Sequence, residues 1–148
     1  MRTALVREWM TPAPIVAAPG TTLPDALNVM KRSHIRRLPI CQDDKLIGIV
    51  TRGDLRGAQP SEATSLSIFE LNYLIGRVTL DQIMTRNPIT VTPDTTIGAA
   101  ARIMLQSKVS GLPVMEDGRL VGIITESDIF RLVVRTWEQE AETDPQPA

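Results

Sequence analysis

Two segments of this chain, residues 10–56 and 84–130, are copies of one another that align without a gap. They are offset by a constant 74 positions. Of the 47 aligned residues 18 are identical, against about three expected from ordinary residue usage. A unit of this length buries too little surface to be stable alone. The repeat therefore predicts that the two copies share a core and form two equivalent clefts between them.

Each copy has the residue pattern of a strand, a helix, two strands and a second helix, which predicts an α+β fold of two β-α-β-β-α repeats. Thr22 and Thr96 are candidate N-caps of the first helix in each copy. The predicted strands are the leading segments 14–16 and 88–91, the proline-containing segments 37–41 and 111–115, and the apolar runs 46–50 and 120–124.

Proline and glycine place two constraints on these strands. Pro39 and Pro113 have no N–H to donate to a ladder, so each strand that contains one is expected at an edge or at a strand start. Gly48 and Gly122 lie within the apolar runs, where a missing side chain predicts close approach of another element.

The repeat divides the chain into four segments. The predicted boundaries are a first domain at 6–58, a connector with a short helix at 59–77, a second domain at 78–134 and an acidic, disordered tail at 135–148. The connector helix is expected between Ser65 and Leu74 as a packed linker. The last helix carries more apolar residues than one intramolecular face needs, which favours a homodimer.

Composition excludes several classes of protein. The single cysteine, Cys41, excludes an internal disulfide and a multi-cysteine metal site. Without a signal peptide or an apolar run of membrane-spanning length, the predicted location is cytoplasmic, with no membrane partner. The formal net charge is −1, and it becomes about +3 without the four carboxylates of the acidic tail. That excess is too weak to indicate nucleic-acid binding and suits a small anionic ligand better.

Threonine and aspartate follow each apolar run at the same spacing, as Thr51-x-x-Asp54 and Thr125-x-x-Asp128. One interpretation is helix capping, because threonine caps a helix and an aspartate three residues later favours its positive end. The other is that hydroxyl and carboxylate face a cleft and bind the hydroxyls of a sugar. The two interpretations are compatible.

A basic run precedes the first proline-containing strand. Lys31 and Arg32 are expected on a solvated helix face, and the only histidine, His34, lacks the partners of a metal or catalytic site. Arg36 and Arg37 stand at a strand entrance, where guanidinium groups suit bidentate phosphate binding. Their twins are Ser110 and Gly111, so only one copy is equipped for anions.

Thr11 and Thr85, each preceded by methionine, could line a base pocket or cap a strand-leading turn.

Three motifs occur in order and twice: Met-Thr-x-x-Pro-Ile, Leu-Pro-Ile/Val, and Gly followed by two apolar residues and Thr-x-x-Asp. In these motifs the chain resembles a tandem pair of cystathionine-β-synthase-type (CBS) domains, a Bateman module. The connector is also weakly similar to that of bacterial CBS proteins linked to acetoin utilisation.

The resemblance implies two repeats packed through their sheets, a dimer, and an adenosine-containing ligand: AMP, ADP, ATP or S-adenosylmethionine. It implies a first cleft formed by Thr11, Ile15, Arg36, Arg37, Thr125 and Asp128. It implies a second cleft formed by Thr85, Ile89, Ser110, Gly111, Thr51 and Asp54. The second cleft lacks the paired arginines, so uncharged adenosine or S-adenosylmethionine suits it better than a multiply charged phosphate.

The favoured function is a non-catalytic regulatory module whose adenosine ligand shifts the packing of the copies or of an unidentified target protein. The alternative is a protein-interaction module whose clefts are empty or vestigial. An enzyme is the weakest hypothesis, because the sequence shows no nucleophile–base pair, metal constellation or phosphate-cradling glycine loop. No cofactor or metal is predicted.

Overall fold

The computed structural model describes residues 3–60 and 65–143. The helices and strands are, in order, α1 Val6–Trp9, β1 Thr11–Pro12, α2 Leu23–Ser33, β2 Arg37–Gln42, β3 Lys45–Thr51, α3 Arg52–Gly57, α4 Ile68–Ile75, α5 Leu80–Ile83, β4 Thr85–Arg86, α6 Ile97–Ser107, β5 Gly111–Glu116, β6 Arg119–Thr125 and α7 Glu126–Thr143. The mixed helix and strand class is the predicted one.

The chain forms two compact units. Unit 1 consists of the described residues within Met1–Pro14 and Ile89–Ala148, and unit 2 of those within Ile15–Pro88. Each unit thus combines most of one sequence copy with the segment that leads into the other copy. The leading segment of each copy leaves its own copy because its two-residue strand pairs with the central strand of the other one: β1 with β6, and β4 with β3.

Each unit has one three-stranded antiparallel sheet, with strand order β1-β6-β5 in unit 1 and β2-β3-β4 in unit 2. Pro39 in β2 and Pro113 in β5 lie on edge strands, as predicted. The leading strands are displaced from the predicted positions, because they occupy 11–12 and 85–86 rather than 14–16 and 88–91. Ala13 and Asn87 have positive φ (47° and 48°), which ends each strand before the Pro-Ile pair.

Local chemistry explains the two long helices of the repeats. The Thr22 hydroxyl accepts the N–H of Asp25 at the start of α2, and the Thr96 hydroxyl accepts that of Ala99 at the start of α6. Both predicted N-caps are therefore confirmed. Both helices end at a left-handed residue, His34 or Lys108, with φ 54° in each case.

The prediction of one shared core is wrong: the buried hydrophobic residues form one cluster in each unit. The segment that leads into the other copy completes each cluster. Ala4 and Val6 pack with α6, β5 and β6 in unit 1, and Leu80 packs with α2, β2 and β3 in unit 2. Those apolar residues supply the surface that a repeat lacks when taken alone.

Two predictions about the rest of the chain need correction. Helix α4 has no buried residue, and Phe69 is 83% exposed, so the expected packing of the connector is limited to its end, where Ile75 is partly buried against the core of unit 2. Helix α7 continues to Thr143, so predicted disorder does not apply to residues 135–143, where Glu and Ala favour helix. Residues 144–148 and 61–64 lie outside the described residues.

Candidate functional site

In unit 1, candidate site residues share the sheet face that points away from the core. Thr11 lies opposite Ile123, and Gly111 lies opposite Thr125, in the register of the sheet. Because side chains alternate along a strand, Thr11, Gly111 and Thr125 occupy one face, and Ile124 faces the core on the other.

Unit 2 repeats this arrangement with different chemistry. Thr85 lies opposite Ile49, and Arg37 lies opposite Thr51. Thr85, Arg37 and Thr51 therefore share the face opposite the core residue Val50. Each unit thus places a leading-strand threonine and the threonine of Thr-x-x-Asp on one face, next to the first residue of the edge strand.

Asp128 is a buried carboxylate with a complete set of partners in unit 1. Its side chain is 5% exposed. Oδ2 accepts the backbone N–H of Thr125 at 2.9 Å and its hydroxyl at 3.1 Å, and Oδ1 accepts an N–H of Arg131 at 2.6 Å. The aspartate part of the capping interpretation is thus confirmed for this copy, whereas the Thr125 hydroxyl donates to Asp128. The carboxylate has little remaining capacity to accept a ligand hydroxyl.

Asp54, the twin of Asp128, is exposed. Its Oδ2 accepts the N–H of Thr51 at 2.8 Å, and the Thr51 hydroxyl accepts the N–H of Asp54 at 3.1 Å. Gly57 stands where the other copy has Arg131. Among the residues the structure describes, none donates to Oδ1 of Asp54. Asp54 therefore caps α3 and keeps one carboxylate oxygen available for a ligand.

The candidate phosphate-binding arginines lie at a backbone hydrogen bond that occurs in both copies. The carbonyl of exposed Arg36 accepts the N–H of Arg52 at 2.7 Å, and the carbonyl of Ser110 accepts that of Glu126 at 3.0 Å. Arg37, half-buried, begins β2 as Gly111 begins β5. The backbone is the same in both copies, and only the side chains differ in charge.

Ile15 and Ile89 are the apolar members of the two predicted clefts. They are 45% and 46% exposed, respectively, and lie between the leading strands and the isolated bridges of Ala17 and Val91. Exposed isoleucines at matching positions are available to contact a planar ring.

The predicted first cleft draws on both compact units. Thr11, Thr125 and Asp128 belong to unit 1, whereas Ile15, Arg36 and Arg37 belong to unit 2. The second cleft divides in the same way, with Ile89, Ser110 and Gly111 in unit 1 and Thr51, Asp54 and Thr85 in unit 2. The structure places Thr11 and Thr125 on one sheet face in unit 1, and Thr85 and Thr51 on one sheet face in unit 2. The assembly of the full residue sets into clefts stays a prediction.

Sequence reasoning missed some residues near these positions. Arg131 pairs with Asp128, and the i, i+3 spacing on a helix is a signal that would have found it. Lys31, His34 and Arg52 join Arg36 around a cavity of about 570 Å³ in unit 2. No spacing rule connects those positions, because a helix, a strand entrance and a second helix contribute them.

The described residues also bear on metal, membrane and thiol chemistry. Within 3–60 and 65–143, no group of three or more His, Cys, Asp and Glu is placed to hold a metal ion. No helix in the described part of the chain is long and apolar enough to cross a membrane. Burial, with a smaller contribution from Asp44, raises the pKa of the Cys41 thiol, which disfavours the reactive thiolate.

Two antiparallel sheets with a repeated Thr-x-x-Asp at the end of each central strand define a tandem repeat of one α+β domain. The family model of the CBS domain matches residues 6–61 and 74–135. The chain therefore belongs to the CBS domain family, as its motifs predict.

Solved structures agree with this assignment. AcuB from Vibrio cholerae is 32% identical with a TM-score of 0.76, over 97% of this chain and 99% of that one. The CBS domain pair of protein MJ0100, in complex with 5′-methylthioadenosine and S-adenosyl-L-methionine, is 32% identical with a TM-score of 0.76, over 90% and 98% of the two chains. CBSX2 from Arabidopsis thaliana, in complex with AMP, is 31% identical with a TM-score of 0.73, over 90% and 98%.

The chain is also similar to parts of longer proteins. It spans between 21% and 46% of the length of several curated relatives that are 32–34% identical to it. The CBS pair thus occurs both as nearly the whole of a protein and as one part of a larger one.

Proposed function

We propose that this protein is a regulatory module that binds an adenosine-containing ligand in clefts between its CBS repeats. The observation that carries the proposal is the pair of sheet faces, each with a leading-strand threonine beside the threonine of Thr-x-x-Asp. Support comes from two similar CBS pairs, which hold AMP in one case and S-adenosyl-L-methionine with 5′-methylthioadenosine in the other.

Different residues of the two clefts bind different parts of the ligand. In the second cleft Asp54, with one carboxylate oxygen available, accepts hydroxyls of the ribose next to Thr51. Ile15 and Ile89 offer exposed apolar surface to the adenine ring. Arg36 and Arg37 bind phosphate oxygens, so the cleft that contains them prefers a charged nucleotide.

Regulation follows if the ligand binds one arrangement of the protein, or of a target protein, more tightly than another. A ligand with equal affinity for both arrangements would shift nothing. The proposed function is regulatory rather than catalytic. The target protein and a cytoplasmic location remain predictions of the sequence.

Replacement of Arg36 and Arg37 by alanine should weaken AMP and ATP binding by roughly tenfold or more and leave adenosine binding nearly unchanged. The reason is that a guanidinium group contacts phosphate oxygens, whereas adenosine carries none. Isothermal titration calorimetry with adenosine, AMP, ATP and S-adenosylmethionine measures the difference, with guanosine as the control ligand.

Equal losses for adenosine and AMP would mean that the two arginines support the fold instead. Failure of every adenosine compound to bind the unsubstituted protein, or guanosine binding as tightly as adenosine, would contradict the proposed function. The protein would then fit better as an interaction module without a ligand.

Exposed apolar residues favour self-association as part of this function. On α7, Phe130, Val134 and Trp137 are 64%, 49% and 65% exposed at spacings of four and three residues, which places them on one helix face. A stripe of this kind in contact with water favours burial against a second copy of the chain.

The double substitution Phe130→Glu with Trp137→Glu should convert a homodimer into a monomer, because it buries two carboxylates in the apolar contact. Size-exclusion chromatography with light scattering measures the mass. Phe69→Glu on α4 is the control, because Phe69 is even more exposed (83%) but lies on another helix, and the substitution should leave the mass unchanged. A monomeric unsubstituted protein would refute the dimer.

A further inference from the structure

A cavity of about 570 Å³ in unit 2 has a basic rim and an apolar lining. Leu27, Met30 and Ile35 provide apolar surface. The polar groups that line it belong to Lys31, His34, Arg36 and Arg52. The proposed adenosine site uses only one of these four, Arg36.

The cations of this cavity have no counterions in the described part of the chain. Within 3–60 and 65–143, no carboxylate lines the cavity and no ion pair involves Lys31, Arg36 or Arg52. Arg36 and Arg52 are held next to each other, because the Arg52 N–H donates to the Arg36 carbonyl at 2.7 Å. Three like charges around one cavity repel one another, and a bound anion would relieve that repulsion.

The second copy shows that the fold does not need these cations. The positions that correspond to Lys31, His34, Arg36 and Arg52 carry Leu105, Lys108, Ser110 and Glu126. Three of the four basic side chains are thus absent from the twin. The apolar lining is largely kept, since Met30 corresponds to Met104 and Ile35 to Val109.

The backbone at the twin positions is also the same. His34 and Lys108 both have φ 54°, and the hydrogen bond from Arg52 to Arg36 recurs from Glu126 to Ser110. Since the same local structure forms without the cations, their presence in unit 2 calls for a reason other than folding.

We propose that this cavity binds a chain of two or more phosphate groups through Lys31, Arg36 and Arg52. Guanidinium groups match phosphate oxygens in bidentate geometry, and the lysine adds a point charge from the last turn of α2. Three cations exceed what a single phosphate or carboxylate needs. The net charge of −1 for the whole chain makes this a local anion site rather than a surface for nucleic acid.

Inorganic tripolyphosphate is the probe, and the test variants carry the residues of the second copy. Lys31→Leu and Arg52→Glu should each weaken tripolyphosphate binding about tenfold in calorimetry at low ionic strength. Both changes suit the fold, because Leu105 and Glu126 occupy the twin positions and glutamate favours a helix start. Their melting temperatures should match that of the unsubstituted protein.

Arg32→Gln is the matched control, because Arg32 is exposed next to Lys31, does not line the cavity, and has Gln106 as its twin. It removes one positive charge and should leave tripolyphosphate affinity within about twofold. An equal loss in Arg32→Gln and Lys31→Leu would mean diffuse attraction to a basic surface and would overturn the proposal. Tripolyphosphate that fails to bind the unsubstituted protein would overturn it too.

Two sources can supply such a phosphate chain, a free polyphosphate or a nucleotide. ATP binding that weakens in Lys31→Leu and Arg52→Glu together with tripolyphosphate binding identifies the nucleotide, whereas ATP binding that does not weaken identifies free polyphosphate. Adenosine tests the proposed function separately. Adenosine binding without tripolyphosphate binding refutes only the cavity, and the reverse result refutes only the adenosine site.

Discussion

Replacement of Asp128 by alanine should lower the free energy of unfolding by about 2–3 kcal/mol, because it removes a buried carboxylate with three hydrogen-bond donors. The N–H of Thr125 would lose its partner, and Arg131 would lose its counterion. The loss corresponds to a fall in Tm of roughly 5–10 °C for a chain of this length. Urea titration and thermal melts without ligand measure it.

Asp54→Ala is the internal control, since Asp54 occupies the same position in the other copy but is exposed, and no ion pair among the described residues joins it to an arginine. The substitution removes a helix cap and should lower the free energy of unfolding by about 1 kcal/mol. If the two substitutions lower stability equally, the buried network of Asp128 adds nothing. If Asp128→Ala leaves the unfolding transition in place, the capping role is wrong.

Gly48→Ala should lower the free energy of unfolding by about 1–3 kcal/mol. An added Cβ would lie 2.5 Å from the Met84 sulfur and 3.0 Å from the Thr85 carbonyl oxygen, so both a side chain and a backbone would have to move. The crowded partner is β4, the strand that brings Thr85 to the candidate face. Thermal melts of the two proteins provide the comparison.

A glycine in open space serves as the control for this substitution. Nothing lies within 4 Å of a Cβ at Gly98, which is in α6, so Gly98→Ala should raise stability by roughly 0.5–1 kcal/mol. The two glycine-to-alanine changes are thus expected to have opposite signs. A Gly48→Ala protein as stable as the unsubstituted one would show that β4 has room to shift.

The local features of this fold were predictable because they depend on neighbouring residues. Thr22 and Thr96 cap their helices through the N–H three residues away, and Pro39 is confined to an edge strand by its missing donor. The close approach at Gly48 and Gly122 also follows from one missing side chain. In each case the cause is a property of one residue, although the segment that approaches Gly48 or Gly122 comes from far along the chain.

The position of the leading strands was harder to predict from the sequence. The Pro-Ile pairs resemble strand starts, but positive φ at Ala13 and Asn87 ends pairing before them. Helix α7 likewise extends through acidic residues that composition alone assigned to a disordered tail. The first error arises because a turn at one residue overrides a strand-like pattern, and the second because net acidic composition was given more weight than the helix propensity of Glu and Ala.

The Thr-x-x-Asp motif is identical in both copies, so it could not predict which aspartate has a carboxylate oxygen available for a ligand. Asp128 is buried and bonded to Arg131, whereas Asp54 is exposed with one oxygen available in the described structure. The difference depends on a residue three positions later and on burial.

From its residues alone, this chain was predictable as a duplicated α+β unit of the CBS family with anion-binding residues in one copy, because repeats, caps and motifs are local properties of a sequence. Folding determined which leading segment completes which core, which aspartate is sequestered, and which cations surround a common cavity. Such outcomes depend on contacts between residues far apart in the chain, and their free energies come from burial that no short stretch of sequence encodes.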